Sequence, residues 1–177
     1  MTTGNATSTN VTLKSRSVIE EASTKVLDSI GCKNIFTQDL EPLVTTQAFV
    51  DMLRVDSGLN QPHYEGWFLH RNGFREDSSA VTNAYQYDIV HDMIVTGLAF
   101  HGSFEESYKY IQDKTEELFW TLEKNKNMLG NETIKYIEGM SVNFSFEQFG
   151  EMYLYRSQTS FTAHSLIIET NGRVYTS

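Results

Sequence analysis

The sequence predicts an α+β domain in which one mainly antiparallel sheet is packed with a long α-helix and a shorter N-terminal helix. Three observations predict it. A capped amphipathic helix begins after Gly102, a strand-like run of unusual length, Tyr85 to Phe100, precedes it, and segments of strict alternation follow it. A chain of 177 residues, 40% hydrophobic and 12% aromatic, carries enough apolar material for one sizeable core and too much for global disorder. Residues 16–170 are assigned to a single α+β domain, residues 1–15 to a flexible N-terminal arm and residues 171–177 to a C-terminal tail.

The arm is mostly Thr, Ser, Asn and Gly, which gain too little from burial to offset their ordering entropy. Ser17 and Glu20 match a capping box, and Val18, Ile19, Ala22, Val26 and Ile30 recur at helical spacing until Gly31, a favourable C′ residue. Between Ile35 and Asn60 the signals conflict. Leu43 to Thr46 favour a strand, while Ala48, Phe49, Met52 and Leu53 fit one helical face.

Trp67 to Leu69 and Tyr85 to Phe100 read as strands. In the second run Tyr85, Tyr87 and Ile89 alternate with polar residues, and Met93 to Phe100 is apolar on both faces, as in a strand that enters a covered sheet centre. Between them, Asn72-Gly73 and the polar tract to Asn83 predict a long exposed hairpin loop, Arg71 to Ala84.

Ser103 and Glu106 form a second capping box, and Phe104, Tyr108, Ile111, Thr115, Leu118, Leu122 and Leu129 make one stripe, with Gly130 ending the helix. Met140, Val142, Phe144 and Phe146 then alternate with Ser141, Asn143 and Ser145, predicting a strand with one buried face. Met152 to Arg156 and Phe161 to Thr170 predict two more, joined as a hairpin by the polar link Ser157 to Ser160, with Asn171-Gly172 ending the last.

Fourteen Lys and Arg against 23 Asp and Glu give a net charge of −9, which opposes duplex DNA binding by phosphate neutralisation. No basic start with an apolar run opens the chain, so synthesis in the cytoplasm is expected, and the Asn-x-Ser/Thr matches at Asn5, Asn10, Asn131 and Asn143 then lack the secretory route that glycosylation needs. No apolar stretch reaches the about 18 residues of a transmembrane helix. The single cysteine, Cys32, excludes an intramolecular disulfide and reads as a small buried residue.

Gly-rich phosphate loops, nucleophile elbows, H-E-x-x-H and EF-hand spacings are all missing, so no catalytic, cofactor-binding or metal-binding residue is assigned and no cofactor is expected. Asp88 and Asp92 fall on one face of a strand but about 13 Å apart, too far for a glycosidase pair. His91 and Asp92 point to opposite faces, and His63, His70, His101 and His164 show no ligand spacing. Tyr153 and Tyr155 share one strand face and could line a pocket or an interface, or simply cover the sheet. Trp120 stands apart. It lies about 160° around the long helix from Phe104, among Lys109, Asp113, Glu116 and Lys124, where an indole is exposed in a monomer and marks an interface candidate.

The YQYDIVHDMIVTGLAF strand, the SFEESYKYIQDKTEELFWTL helix and the MSVNFSF strand, in this order within Ser17 to Thr170, resemble the phage tail terminator family and neighbouring head-to-tail connection (neck) proteins. The resemblance implies a structural virion protein of the tail-neck region, an α+β domain that assembles as a homo-hexameric ring, caps the tail tube and joins the tail to the neck proteins. It implies no enzyme activity, no membrane, and DNA that passes through without specific binding. On this reading the subunit or tube contacts are Trp120 and the loop residues Arg71, Asn72, Phe74, Arg75, Glu76 and Asp77. Acidic residues, with Asp88 and Asp92 first and Glu138, Glu147 and Glu151 as further possibilities, face the lumen. A small-ligand-binding or enzymatic α+β domain with a Tyr- and Phe-lined sheet, and another oligomeric scaffold, are the alternatives.

Overall fold

A computed structural model describes residues 5–37, 46–55, 63–77, 86–150, 152–170 and 173–176, with side chains for 16–37, 47–55, 63–77, 86–150 and 152–168. The elements run α1 (Asn5–Ser29), β1 (Ile35–Phe36), α2 (Thr46–Leu53), β2 (Arg54–Val55), β3 (His63–Glu76), β4 (Gln86–Phe100), α3 (Phe104–Lys124), β5 (Ile134–Phe149), β6 (Met152–Thr170) and β7 (Arg173–Thr176). One seven-stranded sheet has the order β1-β3-β4-β6-β5, with β2 beside β3 and β7 beside β6. Only β1 pairs in parallel, so the mainly antiparallel α+β fold stands.

Alternation along the strands splits the core in two. On one face Trp67, Leu69, Met93, Val95, Phe161 and Ala163 pack under Ile19, Val26 and Leu27 of α1 and Ile111, Leu118 and Leu122 of α3. On the other, Leu98 and Leu154 meet Leu53 at the end of α2, with Phe36, Phe49, Phe68 and Phe149 around them. Gly97 has no side chain because a Cβ would approach the Trp67 ring at 2.7 Å.

Two of the four helix ends predicted from short spacings form as expected. Ser103 Oγ accepts from the Glu106 N–H at 3.2 Å and donates to Glu106 Oε2 at 3.0 Å, opening α3. At the end of α1, Gly31 takes φ 77°. Its N–H donates to the Asp28 carbonyl and the Cys32 N–H to the Leu27 carbonyl, a Schellman closure.

Other expectations are corrected. Residues 5–15 are helical, so α1 starts well before Ser17: once the packed turns of α1 nucleate a helix, extending it backwards costs little per residue. Residues 1–4 of the expected arm lie outside the described residues. In the ambiguous segment α2 forms where Ala48, Phe49, Met52 and Leu53 predicted a helical face, and Leu43 to Thr45 lie outside the described residues. Within the expected Arg71–Ala84 loop, Arg71 to Glu76 are strand. Gly73, Phe74, Arg75 and Glu76 pair with Asp92, His91, Val90 and Ile89, and Asn72-Gly73 makes a bulge where an exposed loop is expected. Of that loop Asp77 is described and residues 78–84 lie outside.

The long helix ends at Lys124, not at Gly130, because Asn125 caps it and Met128, Leu129 and Gly130 turn left-handed, at φ 50°, 61° and 81°. Ile111, Thr115, Leu118 and Leu122 are buried as the stripe required, whereas Phe104, Tyr108 and Leu129 are exposed. Ser157 to Ser160 is no hairpin link. β6 runs unbroken through it, with Ser157 and Thr159 fully buried in the ladder between β4 and β5. The strand from Met140 does not bury its Phe144 and Phe146. Past Asn171-Gly172 the expected tail continues as β7 along β6.

Candidate interaction surface

β5 and β6 form a long hairpin that outreaches the helices packed on the sheet. Directly paired residues of antiparallel strands point to the same face, so Phe146 lies opposite Tyr155 and Phe144 opposite Ser157, on the face that carries α1 and α3. Ser157 is buried beneath that face, but past Tyr155 the strands have no helix above them. Phe104, the first residue of α3, packs its ring on Tyr155 with centroids 4.6 Å apart, Tyr108 reaches the same ring at 5.2 Å, and Phe146 meets Tyr153 at 6.4 Å. The result is a continuous aromatic band. Phe146 is 61% and Phe104 60% exposed, and Tyr108, Phe144 and Tyr153 are exposed beside them. Scattered exposed apolar residues are ordinary, but five large aromatics in one band make a candidate interaction surface.

The band borders a sheet edge. β5 is terminal in the strand order, and among the described residues no strand pairs with its outer side.

Trp120 is a second exposed aromatic, 56% accessible, on the outer side of α3 with the Phe119 ring edge-on at 5.4 Å. Its exposure follows the helical spacing read from the sequence. The other interface candidates sit on β3. Phe74, Arg75, Glu76 and Asn72 are exposed and Asp77 is half-buried, while Arg71 lies half-buried with its guanidinium 4.6 Å from the Phe74 ring centre. They hold a strand edge and not a free loop, and they are remote in register from the band.

The lumen candidates change most. Asp88 is buried and pairs with Lys135 Nζ at 2.5 Å, so it cannot face a channel; it lies on β4, and Lys135 of β5 reaches it across the intervening β6 and supplies the countercharge a buried carboxylate needs. Asp92 is half-buried and shares its charge with Arg75 at 3.3 Å and with Thr162 Oγ1. Glu138 bonds His164 Nε2 at 3.1 Å, Glu147 pairs with Arg156, and the Glu151 side chain lies outside the described residues.

Two buried polar groups, Glu65 and His91, and the half-buried His101 resemble chemistry, and each proves to be framework. Glu65 accepts from Trp67 Nε1 at 2.7 Å, Tyr110 Oη at 2.7 Å and the Lys33 N–H at 2.9 Å, tying the end of α1, β3 and α3 together. Burial and that carboxylate push the Tyr110 phenol upward. His101 stacks between Tyr110, at 3.8 Å, and His63, at 4.6 Å. His91 Nε2 lies 2.9 Å from Ser165 Oγ, a nucleophile-and-base distance, but both side chains are completely buried and no substrate reaches them. Burial, then the Arg71 charge, lowers the His91 pKa to about 4, so the ring is neutral. Cys32 is buried as expected, and burial pushes its thiol well above the ordinary range. Among the described residues no cluster of three His, Cys, Asp or Glu could hold a metal ion. A cavity of about 100 Å³ is lined by Arg16, Thr37, Leu69, His70 and Arg71, well below the about 300 Å³ at which drug-sized pockets begin. No helix among the described residues is long and apolar enough to cross a membrane.

No family model matches the chain, and no curated protein matches it.

The sequence reading singled out Tyr153, Tyr155 and Trp120 but missed the band as a unit. Phe104, Phe144 and Phe146 had been assigned to the core, because alternation tells which face a residue takes and not how far the covering helix extends.

Proposed function

We propose that this chain is a structural protein that acts by self-association, and that its assembly is the ring of a phage tail terminator, capping the tail tube and joining the tail to the neck. The observation that carries the reading is the aromatic band of Phe104, Tyr108, Phe144, Phe146 and Tyr153 beside an open sheet edge. Trp120 adds a separate patch on α3. A closed assembly of more than two copies requires either one head-to-tail contact or two different self-contacts, and two separate patches suit it. Tail-tube and neck proteins are the further partners, with the virion as location. DNA would pass through a wall made repulsive by the summed charge of −9 per copy, not by Asp88 or Asp92 in particular.

Negative-stain images of the purified full chain test this. Closed rings with a central hole are expected. Monomers, or dimers alone, at every concentration would overturn the ring.

A further inference from the structure

We infer that the outer edge of β5 from Ser141 to Phe149 is completed by the same segment of a second copy of this chain, paired antiparallel about a two-fold axis. The inference goes beyond the ring reading, which requires self-contact but neither this strand nor this symmetry.

The edge is defended along only part of its length. Soluble proteins blunt sheet edges with bulges, glycine kinks and charges. On β5 these devices are crowded before Ser141. Both register breaks lie at Ile134/Tyr136 and Glu138/Ser141, Gly139 takes φ 64°, and Lys135 and Glu138 supply charge. Beyond them the ladder to β6 runs through nine consecutive pairs, Ser141↔Ser160 to Phe149↔Met152, without a break. At about 3.3 Å per residue this is about 30 Å of regular edge. Ser141 to Phe146 carries no charge, and the carboxylate of Glu147 is held by Arg156. An undefended edge rich in aromatic side chains is one that another strand covers.

Charge and self-complementarity point to a second copy. Two chains of −9 repel at distance, and the uncharged run Ser141 to Phe146 adds nothing to that repulsion on close approach. Antiparallel pairing pivoted on Ser145 sets Phe144 of each copy opposite Phe146 of the other and Asn143 opposite Glu147, so aromatic pairs meet twice and no like charges are opposed. The same pairing joins the two aromatic bands.

The test uses the full chain. In Ser145→Cys, mild oxidation should give a covalent dimer, because directly opposed residues place their Cα atoms about 4.5 to 5.5 Å apart, within disulfide reach; the buried Cys32 provides no competing thiol. Lys124→Cys, exposed on α3, is the control and should give none. In the wild type, hydrogen exchange of Ser141–Phe149 should slow at least about tenfold at concentrations where sedimentation shows association. Rings without the cross-link or the protection would overturn the strand pairing and leave the ring reading standing. Dimers with both would establish the pairing and overturn the ring, and a monomer throughout would overturn both.

Discussion

Phe104 and Tyr155 hold their rings 4.6 Å apart at 59°, and this contact joins the first turn of α3 to the last helix-covered position of β6. Beyond it no helix among the described residues covers that face, while on the opposite face Phe149 of β5 stacks on Phe49 of α2 with centroids 4.8 Å apart. The capping box at Ser103 therefore does two things: it starts the helix, and it decides where cover of the sheet stops and the aromatic band begins.

Glu65 is the strongest polar tie in the core. Glu65→Ala would leave Trp67 Nε1 and the Tyr110 hydroxyl buried without an acceptor, a loss of about 2 to 5 kcal/mol in urea unfolding. Tyr110→Phe removes one bond and leaves two donors in place, so its loss should be smaller, about 1 kcal/mol. Equal effects of the two variants would contradict the shared-carboxylate arrangement.

Leu118 is completely enclosed between α3 and the sheet. Replacing it with Ala should cost about 2 to 5 kcal/mol. A loss under about 0.5 kcal/mol, the usual range for surface changes, would place the stripe elsewhere.

His91 makes stability depend on pH with a defined sign. Its folded pKa is about 4 against an ordinary 6.5, so the unfolded chain binds this proton first as pH falls. The stabilisation is complete above pH 6.5, is lost progressively from there to about pH 4, and changes no further below. Burial also lowers the His101 pKa, with the same sign. His91→Gln should therefore flatten, without abolishing, the decline of unfolding free energy across this window. An unchanged slope would contradict it.

Trp120 packs on Phe119 and is otherwise open to solvent. Trp120→Ala should leave the thermal midpoint within about 2 °C, as for other surface changes, while weakening assembly at least tenfold if the ring uses this patch. Unchanged assembly with lost thermal stability would assign the indole to the core.

Some self-contained local signals were legible, although the equally local Ser17–Glu20 spacing lies inside α1 and starts no helix. Ser103 with Glu106, and Gly31 after Ile30, specify helix ends through bonds within a few residues, and both formed. The failures share a cause. Ser157 and Thr159 read as a polar turn because their setting is set by β4 and by the narrow space beside Gly97, some sixty residues away in sequence, where only small side chains fit. Asp88 read as a free carboxylate because Lys135 is brought to it only by strand pairing. The tilted contact of the His63 and His101 rings, and the Glu65–Tyr110 bond, are likewise products of topology alone. The surface was half legible: residue types and faces could be read, but the end of the helical cover could not.

On the proposed function, the aromatic band at the β5–β6 hairpin joins copies of this chain. Sedimentation velocity of the full chain against Phe146→Asp, over a range of concentrations, separates a working contact from an idle surface. Phe146 is 61% exposed, so its replacement should leave the folded subunit intact by circular dichroism. The account predicts a wild type that associates and a variant whose association is weakened at least about tenfold, the level expected when a contact centre is lost. Association of equal strength in the two proteins would contradict it.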